Sequence, residues 1–286
     1  MHQTPGKLVI CPTPLGNLGD MTKRCVEAFS SCDVVCCEDT RVTGKLLSVL
    51  GIEKRLERLD EATVSAKASM IIERILAGET IAYASDAGMP GVSDPGQRLV
   101  DAARTAQVSV EVLPGPTAVT TAYVASGFPS QSFYFGAFFP RKAGERQRLL
   151  EQLKSLDAVL VFYESPLRLV SALEAIETVM PHRRVAVCRE MTKLHEEVVR
   201  DSVSAVREFF QWRSDDGGIK GEIVIVIDAP NDEESRSDRA DEQNQAKARA
   251  RQLLDEGSHS KKDIVRVIRS EFKLSRNDAY DLVYGK

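Results

Sequence analysis

Up to about position 230 the chain alternates between short apolar runs and longer stretches with helical spacing. KLVIC precedes MTKRCVEAFSS, DVVCC precedes RVTGKLLSVLG, TIAYA precedes DPGQRLVDAARTAQ, and VSVEVL precedes PTAVTTAYVAS. Runs that are apolar throughout predict strands covered on both faces, and their alternation with helices predicts βαβ units and a largely parallel sheet. A second series starts at SFYFGAFF and continues through AVLVFY, RVAVC and EIVIVI, with helices between. The pattern predicts an α/β fold in two α/β domains: residues 1–114 around a largely parallel sheet, and residues 115–230 around a mixed sheet. They meet near residues 114 to 126, with a cleft between them. No internal repeat of fixed period is present.

Beyond residue 230 the pattern changes. Residues 231–245, NDEESRSDRADEQNQ, hold six acids against two arginines, whereas residues 246–286 hold ten Lys/Arg against six Asp/Glu. An acidic linker followed by a basic helical module is expected. AKARARQLLDEG reads as a helix stopped by Gly257, and SKKDIVRVIRSEF sets Ile264, Val267, Ile268 and Phe272 at helical spacing after Ser260. SRNDAYDLVY offers Ser275 as N-cap with Asp278 in the capping-box position. The module resembles a helix-turn-helix. Its modest positive excess fits RNA contact and fits equally a solvated cap or dimerisation element.

Composition then narrows the class. A chain of 286 residues exceeds one typical domain, and its net charge of −4 gives no global attraction to nucleic acid. The longest apolar runs are too short for a bilayer, and MHQTPGKLVI lacks the pattern of a secretory signal, so no membrane partner and a cytoplasmic location are expected. Cys11, Cys25, Cys32, Cys36 and Cys37 crowd into the first part of the chain without a CxxC pair. They read as buried small hydrophobes in a reducing compartment, and no metal site is expected.

In open α/β sheets ligands sit outside the carboxyl ends of the strands. The glycine-rich stretches PTPLGNLGDMT, SDAGMPGVSDPG and LPGPTA fall at three such ends. Glycine lets backbone approach a ligand and proline stiffens the loop, which suits a flat, polar small molecule read by main-chain groups. The chain carries no GxxxxGK[ST], and GNLG lacks the remainder of a dinucleotide fingerprint.

These loops, with EDTR at 38–41, FYESPLR at 162–168, CREMTK at 188–193 and KGEIVIVI at 220–227, stand in the order found in one family. Over almost its whole length the chain resembles the RsmI-type ribosomal RNA small-subunit methyltransferases, within the tetrapyrrole-methylase-like (class III) S-adenosylmethionine enzymes. The resemblance implies S-adenosylmethionine as methyl donor, no metal, a homodimer, and methylation of the ribose 2′-hydroxyl of a cytidine in the decoding region of 16S rRNA within the small ribosomal subunit. It implies a cofactor site from Pro14, Leu15 and Gly16, from Asp86, Ala87, Gly88 and Met89, from Thr117 and Ala118, and from Tyr163 and Gly221. Similar proteins usually carry Thr where this chain has Met89.

A ribose hydroxyl is a weak nucleophile until a base takes its proton, so carboxylates or a lysine are wanted near the methyl group. Glu38, Asp39 and Arg41 follow one expected strand, Glu164 and Arg168 a second, and Arg189, Glu190 and Lys193 a third. As a group they suit an RNA-facing catalytic site, with Arg41 and Arg168 on phosphates and Glu164 or Lys193 assisting the hydroxyl. Singly, each also suits a structural role: Asp39 as a helix cap, Arg168 as the ion partner of Glu164. His195 reads as a surface helix residue. Two other functions share parts of this pattern: a tetrapyrrole (precorrin-type) methyltransferase and a non-catalytic RNA-binding ribosome assembly protein.

Overall fold

The structure is a computed structural model that describes residues 6–256, 260–272 and 274–285, of which 232–243 are described by their backbone alone. It divides into two compact units, Met1–Leu150 with Ala158–Ala229, and Glu151–Asp157 with Pro230–Lys286.

The first unit contains both sheets. Strands β1 (Lys7–Ile10), β2 (Val34–Cys37), β3 (Leu56–Arg58), β4 (Ile81–Ala84) and β5 (Ser109–Val112) form a sheet in the order β3-β2-β4-β1-β5, and every pairing in it is parallel. Helices α1 (Lys23–Ser31), α2 (Thr40–Val49), α3 (Val64–Leu76) and α4 (Gly96–Thr105) connect them. β2 and β4 are buried at every position, as strands covered on both faces must be. Adjacent Cys36 and Cys37 enter cores on opposite sides of the sheet: Cys36 packs with Tyr83 and Leu99, Cys37 with Phe29 and Leu47. All six cysteines are free and buried. β3 and α3 are elements that the alternation of runs passes over. β3 is short and charged, and α3 has no side-chain cap to mark its start, although Val64, Ile71, Ile72 and Ile75 carry its buried stripe.

Helix α5 (Ala118–Ser126) leads to the second sheet. Strands β6 (Phe133–Phe138), β7 (Val159–Glu164), β8 (Arg184–Arg189), β9 (Glu197–Ser202) and β10 (Ile223–Ile227) adopt the order β6-β7-β10-β8-β9. β6 runs parallel to β7, and the remaining pairings are antiparallel, so the sheet is mixed. Helices α6 (Ala143–Leu153), α7 (Leu169–Val179) and α8 (Val203–Asp215) complete this half. Because β10 lies between β7 and β8 and runs antiparallel to both, its amino end lies at the same sheet edge as their carboxyl ends. That polarity gathers FYESPLR, CREMTK and KGE at one edge.

The second unit has a small core of its own. Helices α9 (Asp232–Glu256), α10 (Lys261–Glu271) and α11 (Arg276–Tyr284) bury Ala246, Ala250, Leu253, Ile264, Ile268, Ala279 and Val283 together. Ser260 Oγ accepts from Asp263 N and Ser275 Oγ from Asp278 N, so each caps its helix, Ser275 as expected. Residues 231–245, expected as an acidic linker, are helical from the second onward, where α9 begins. No Gly or Pro interrupts residues 231–256, and the Glu, Arg, Ala, Gln and Lys there are good helix formers, so acidity alone does not break the helix. Gly257, expected as a helix stop, lies outside the described residues.

Candidate active site

A cavity of about 400 Å³ opens in the first unit, within the range of small-molecule sites. The first sheet contributes Leu15, Glu38, Ser85, Asp86 and Ala87, and the second contributes Tyr163, Glu164, Gly221 and Glu222, with Ala118 of α5 also on the wall. The loops are tied to one another by main chain. Thr13 N donates to Gly88 O and Gly88 N to Thr13 O, both at 3.0 Å, and Thr13 Oγ1 donates to Ser85 O at 3.1 Å. Gly88 has φ +81° and Leu15 Cδ2 would stand 3.1 Å from a Cβ there, so glycine is required for this clasp. At Gly16, φ +143°, a Cβ would strike the Lys193 side chain at 2.5 Å. Lys193 is thereby laid against the first loop.

Glu38 and Asp86 form a second clasp. Asp86 N donates to Glu38 Oε1 at 3.2 Å, and Asp39 N donates to Asp86 Oδ1 at 3.1 Å. Burial, together with the negative charges of Asp94, Asp86 and Asp60, pushes the Glu38 carboxyl up to about 6. Burial also raises Asp86. Asp39 is the N-cap of α2, accepting from Arg41 N at 2.8 Å, and its carboxylate holds the exposed Arg41 guanidinium at 2.6 Å. Those hydrogen bonds hold Asp39 far below the usual carboxylate range.

On the other wall Glu164 is buried and paired with Arg168, while Ser165 N donates to Glu164 Oε1 at 2.7 Å. Burial raises its carboxyl in spite of the arginine. Glu164 Oε2, on a residue of the cavity wall, and Arg168 Nη1 are buried without a hydrogen-bond partner among the described residues. Lys193 Nζ contacts Glu190 Oε1 at 2.8 Å and Glu222 Oε2 at 3.0 Å. Burial works to lower this ammonium, but the two carboxylates outweigh it and raise its pKa.

The cavity wall therefore includes Leu15, Asp86, Ala87, Ala118, Tyr163 and Gly221 among the expected cofactor residues, and Glu38 and Glu164 among the expected catalytic ones. Pro14, Gly16, Gly88, Met89 and Thr117 stand behind or beside it in the same loops, and Asp39, Arg41 and Lys193 flank it. Arg189 does not join: it bonds Glu197 at 3.0 Å and Lys220 O at 3.2 Å. His195 is exposed in a turn between β8 and β9, because the CREMTK stretch continues into tight turns with positive φ at Glu190 and Thr192, not into a helix. Sequence reasoning singled out neither Asp94, Ser165 and Glu222, although each lies within or beside a motif that it quoted, nor Phe138. Among the described residues no group of His, Cys, Asp and Glu is placed to hold a metal ion, and no helix is long and apolar enough to cross a membrane.

A parallel sheet with glycine-rich loops at its carboxyl edge, facing the loop-bearing edge of a mixed sheet, is the architecture of a class of methyltransferases. A diphthine synthase shares it with a TM-score of 0.63 at 15% identity over 81% of this chain and 94% of its own. So does the uroporphyrin-III C-methyltransferase of Thermus thermophilus, solved with S-adenosyl homocysteine, with a TM-score of 0.54 at 15% identity over 78% of this chain and 97% of its own. Residues 7–207 match the family model of tetrapyrrole (corrin/porphyrin) methylases. The ribosomal RNA small subunit methyltransferase I of Bacillus subtilis is 37% identical over 97% of this chain and 94% of its own length. The chain belongs to the tetrapyrrole methylase family and, within it, to the ribosomal RNA small subunit methyltransferase I group.

Proposed function

We propose that the protein transfers a methyl group from S-adenosylmethionine to the ribose 2′-hydroxyl of a cytidine in the decoding region of 16S rRNA, working as a homodimer in the cytoplasm and without metal. The observation that carries the rRNA reading is the 37% identity to the Bacillus subtilis enzyme along nearly all of both chains. The donor is supported by the cavity itself. Its volume and its wall of apolar residues such as Leu15, Ala87 and Ala118 beside polar ones such as Glu38, Asp86 and Glu164 fit a cofactor with an apolar body and several polar groups. Leu15, Asp86, Ala87, Ala118, Tyr163 and Gly221 would hold it.

When bound, S-adenosylmethionine supplies a methyl group on a sulfonium, whose carbon–sulfur bond breaks toward sulfur as the acceptor oxygen attacks. The chain must position that oxygen and take its proton. Glu38 suits proton removal: it lies on the cavity wall, and a carboxyl raised to about 6 is still ionised at neutral pH yet more basic than an ordinary one. Lys193 does not suit it, since a lysine between two carboxylates stays protonated. Its fixed positive charge would instead hold the donor's carboxylate or a phosphate.

Labelled S-adenosylmethionine with small subunits lacking the modification tests the reading. Label should enter 16S rRNA, with or without chelator. Calorimetry showing no cofactor binding by folded protein would remove the donor assignment, and a red or brown pigment in the purified protein would favour a tetrapyrrole substrate.

A further inference from the structure

Strand β6 breaks its ladder at one place, and the break aims an aromatic ring. Its register against β7 shifts between Phe135, opposite Val161, and Phe138, opposite Tyr163, so three steps on β6 match two on β7. Ala137, inside this bulge, has φ +55°, a conformation that L residues adopt at a cost. Residues three apart on a regular strand face opposite ways; the extra residue puts Phe135 and Phe138 on the same face. Both meet Tyr163 edge-on, at 5.0 and 5.4 Å between ring centroids. Phe139, next along, is fully buried against Phe162 on the other side at 4.7 Å. Phe138 lines the cavity and yet is 58% exposed.

The chain after the bulge is locked. Buried Arg146 donates to Pro140 O at 3.2 Å and to Ser171 O at 2.6 Å, and its guanidinium lies 5.6 Å from the Phe139 ring centroid. This anchor presents Arg141, whose exposed side chain forms no hydrogen bond or ion pair among the described residues. Three residues span at most about 10 Å of backbone, so Arg141 leaves the chain near the strand end that carries the exposed ring.

We infer that Phe138 is the stacking platform for the base of the acceptor nucleotide, with Arg141 meeting the adjoining phosphate. This deepens the proposed function and rests on its RNA substrate. A ring held in a T-shaped contact with Tyr163, lining the cavity and yet mostly exposed, has surface left with which to cover a base drawn out of its helix. A neighbouring free cation suits a polyanion better than a neutral ligand.

Phe138→Ala and Phe138→Trp, compared with wild type on methyl-deficient small subunits, provide the test. Phe138→Ala should lower kcat/KM between about fivefold and about 150-fold, the range that loss of one base–aromatic stack removes. Its calorimetric affinity for S-adenosylmethionine should stay within about twofold of wild type. Phe138→Trp should retain activity, and with Trp212→Phe added its fluorescence should be quenched on saturation with substrate RNA. Unchanged kcat/KM in Phe138→Ala, or a loss confined to cofactor affinity, overturns the assignment, as does unquenched fluorescence at saturation. A wild type that transfers no methyl group overturns the rRNA reading itself, and the base platform falls with it. An active wild type matched by Phe138→Ala overturns only the platform.

Discussion

Glu38 concentrates the chemistry at the scale of single residues, because the same burial that raises its carboxyl sets it on the cavity wall. Replacing it with Gln should lower kcat about 10²- to 10⁴-fold, the usual worth of a general base, with cofactor affinity nearly unchanged. In wild type, activity should fall as pH drops through about 6, where the carboxylate gains its proton, and the variant's residual rate should lose that limb. A pH–rate profile of both proteins checks this. Asp86→Ala should act on the donor side: it removes a cavity carboxylate and the acceptor of Asp39 N, so cofactor affinity should drop in calorimetry. Unchanged affinity would make Asp86 a loop residue only. The sequence motifs carried Glu38, Asp86 and Glu164 to the cavity. They offered Asp39 as a cap from its neighbours alone, and its partner Arg41 is indeed two residues on, but they could not set Lys193 apart, because its ion pair with Glu222 joins residues remote in sequence.

Elements explain which residues arrive together. Edge strand β9 is pinned by Glu197, which receives Arg213 Nη2 at 2.9 Å and Arg189 Nε at 3.0 Å. The hydrogen bond from Arg213, aided by Arg189, lowers the Glu197 carboxyl in the fold. A depressed folded value contributes stability above the unfolded value of about 4.3, and that contribution is lost as pH falls through the folded one. Glu197→Gln should therefore cost about 1–2 kcal/mol at pH 7 in denaturant unfolding, and less in acid. Gly221→Ala should be destabilising at any pH: φ is +96° and the new Cβ would meet Glu190 at 2.4 Å. The apolar runs KLVIC, DVVCC and TIAYA announced the parallel sheet because buried strands need no alternation. β9 reads EVVRDS, half of it exposed, and its pairing with β8 spans a turn that no periodicity marks.

For the whole molecule, the two units predict what truncation does. Ending the chain at residue 230 should leave the first unit folded and its cofactor affinity unchanged, since both sheets and the entire cavity wall lie before that point. If the terminal helices meet RNA, truncation should lower substrate affinity and flatten its salt dependence, each lost phosphate contact removing roughly one unit of slope. Charge reversal at Lys261, Lys262, Arg266 and Arg269, all exposed on α10, should do the same in full-length protein. An unchanged slope with altered mass in light scattering would assign these helices to dimer contacts. The chemistry of the product bears most directly on the whole account. Small subunits lacking the modification, incubated with the protein and labelled S-adenosylmethionine, should yield 16S rRNA whose digested nucleosides carry the label as 2′-O-methylcytidine. Label on a base, in another RNA, or in no RNA at all would contradict it.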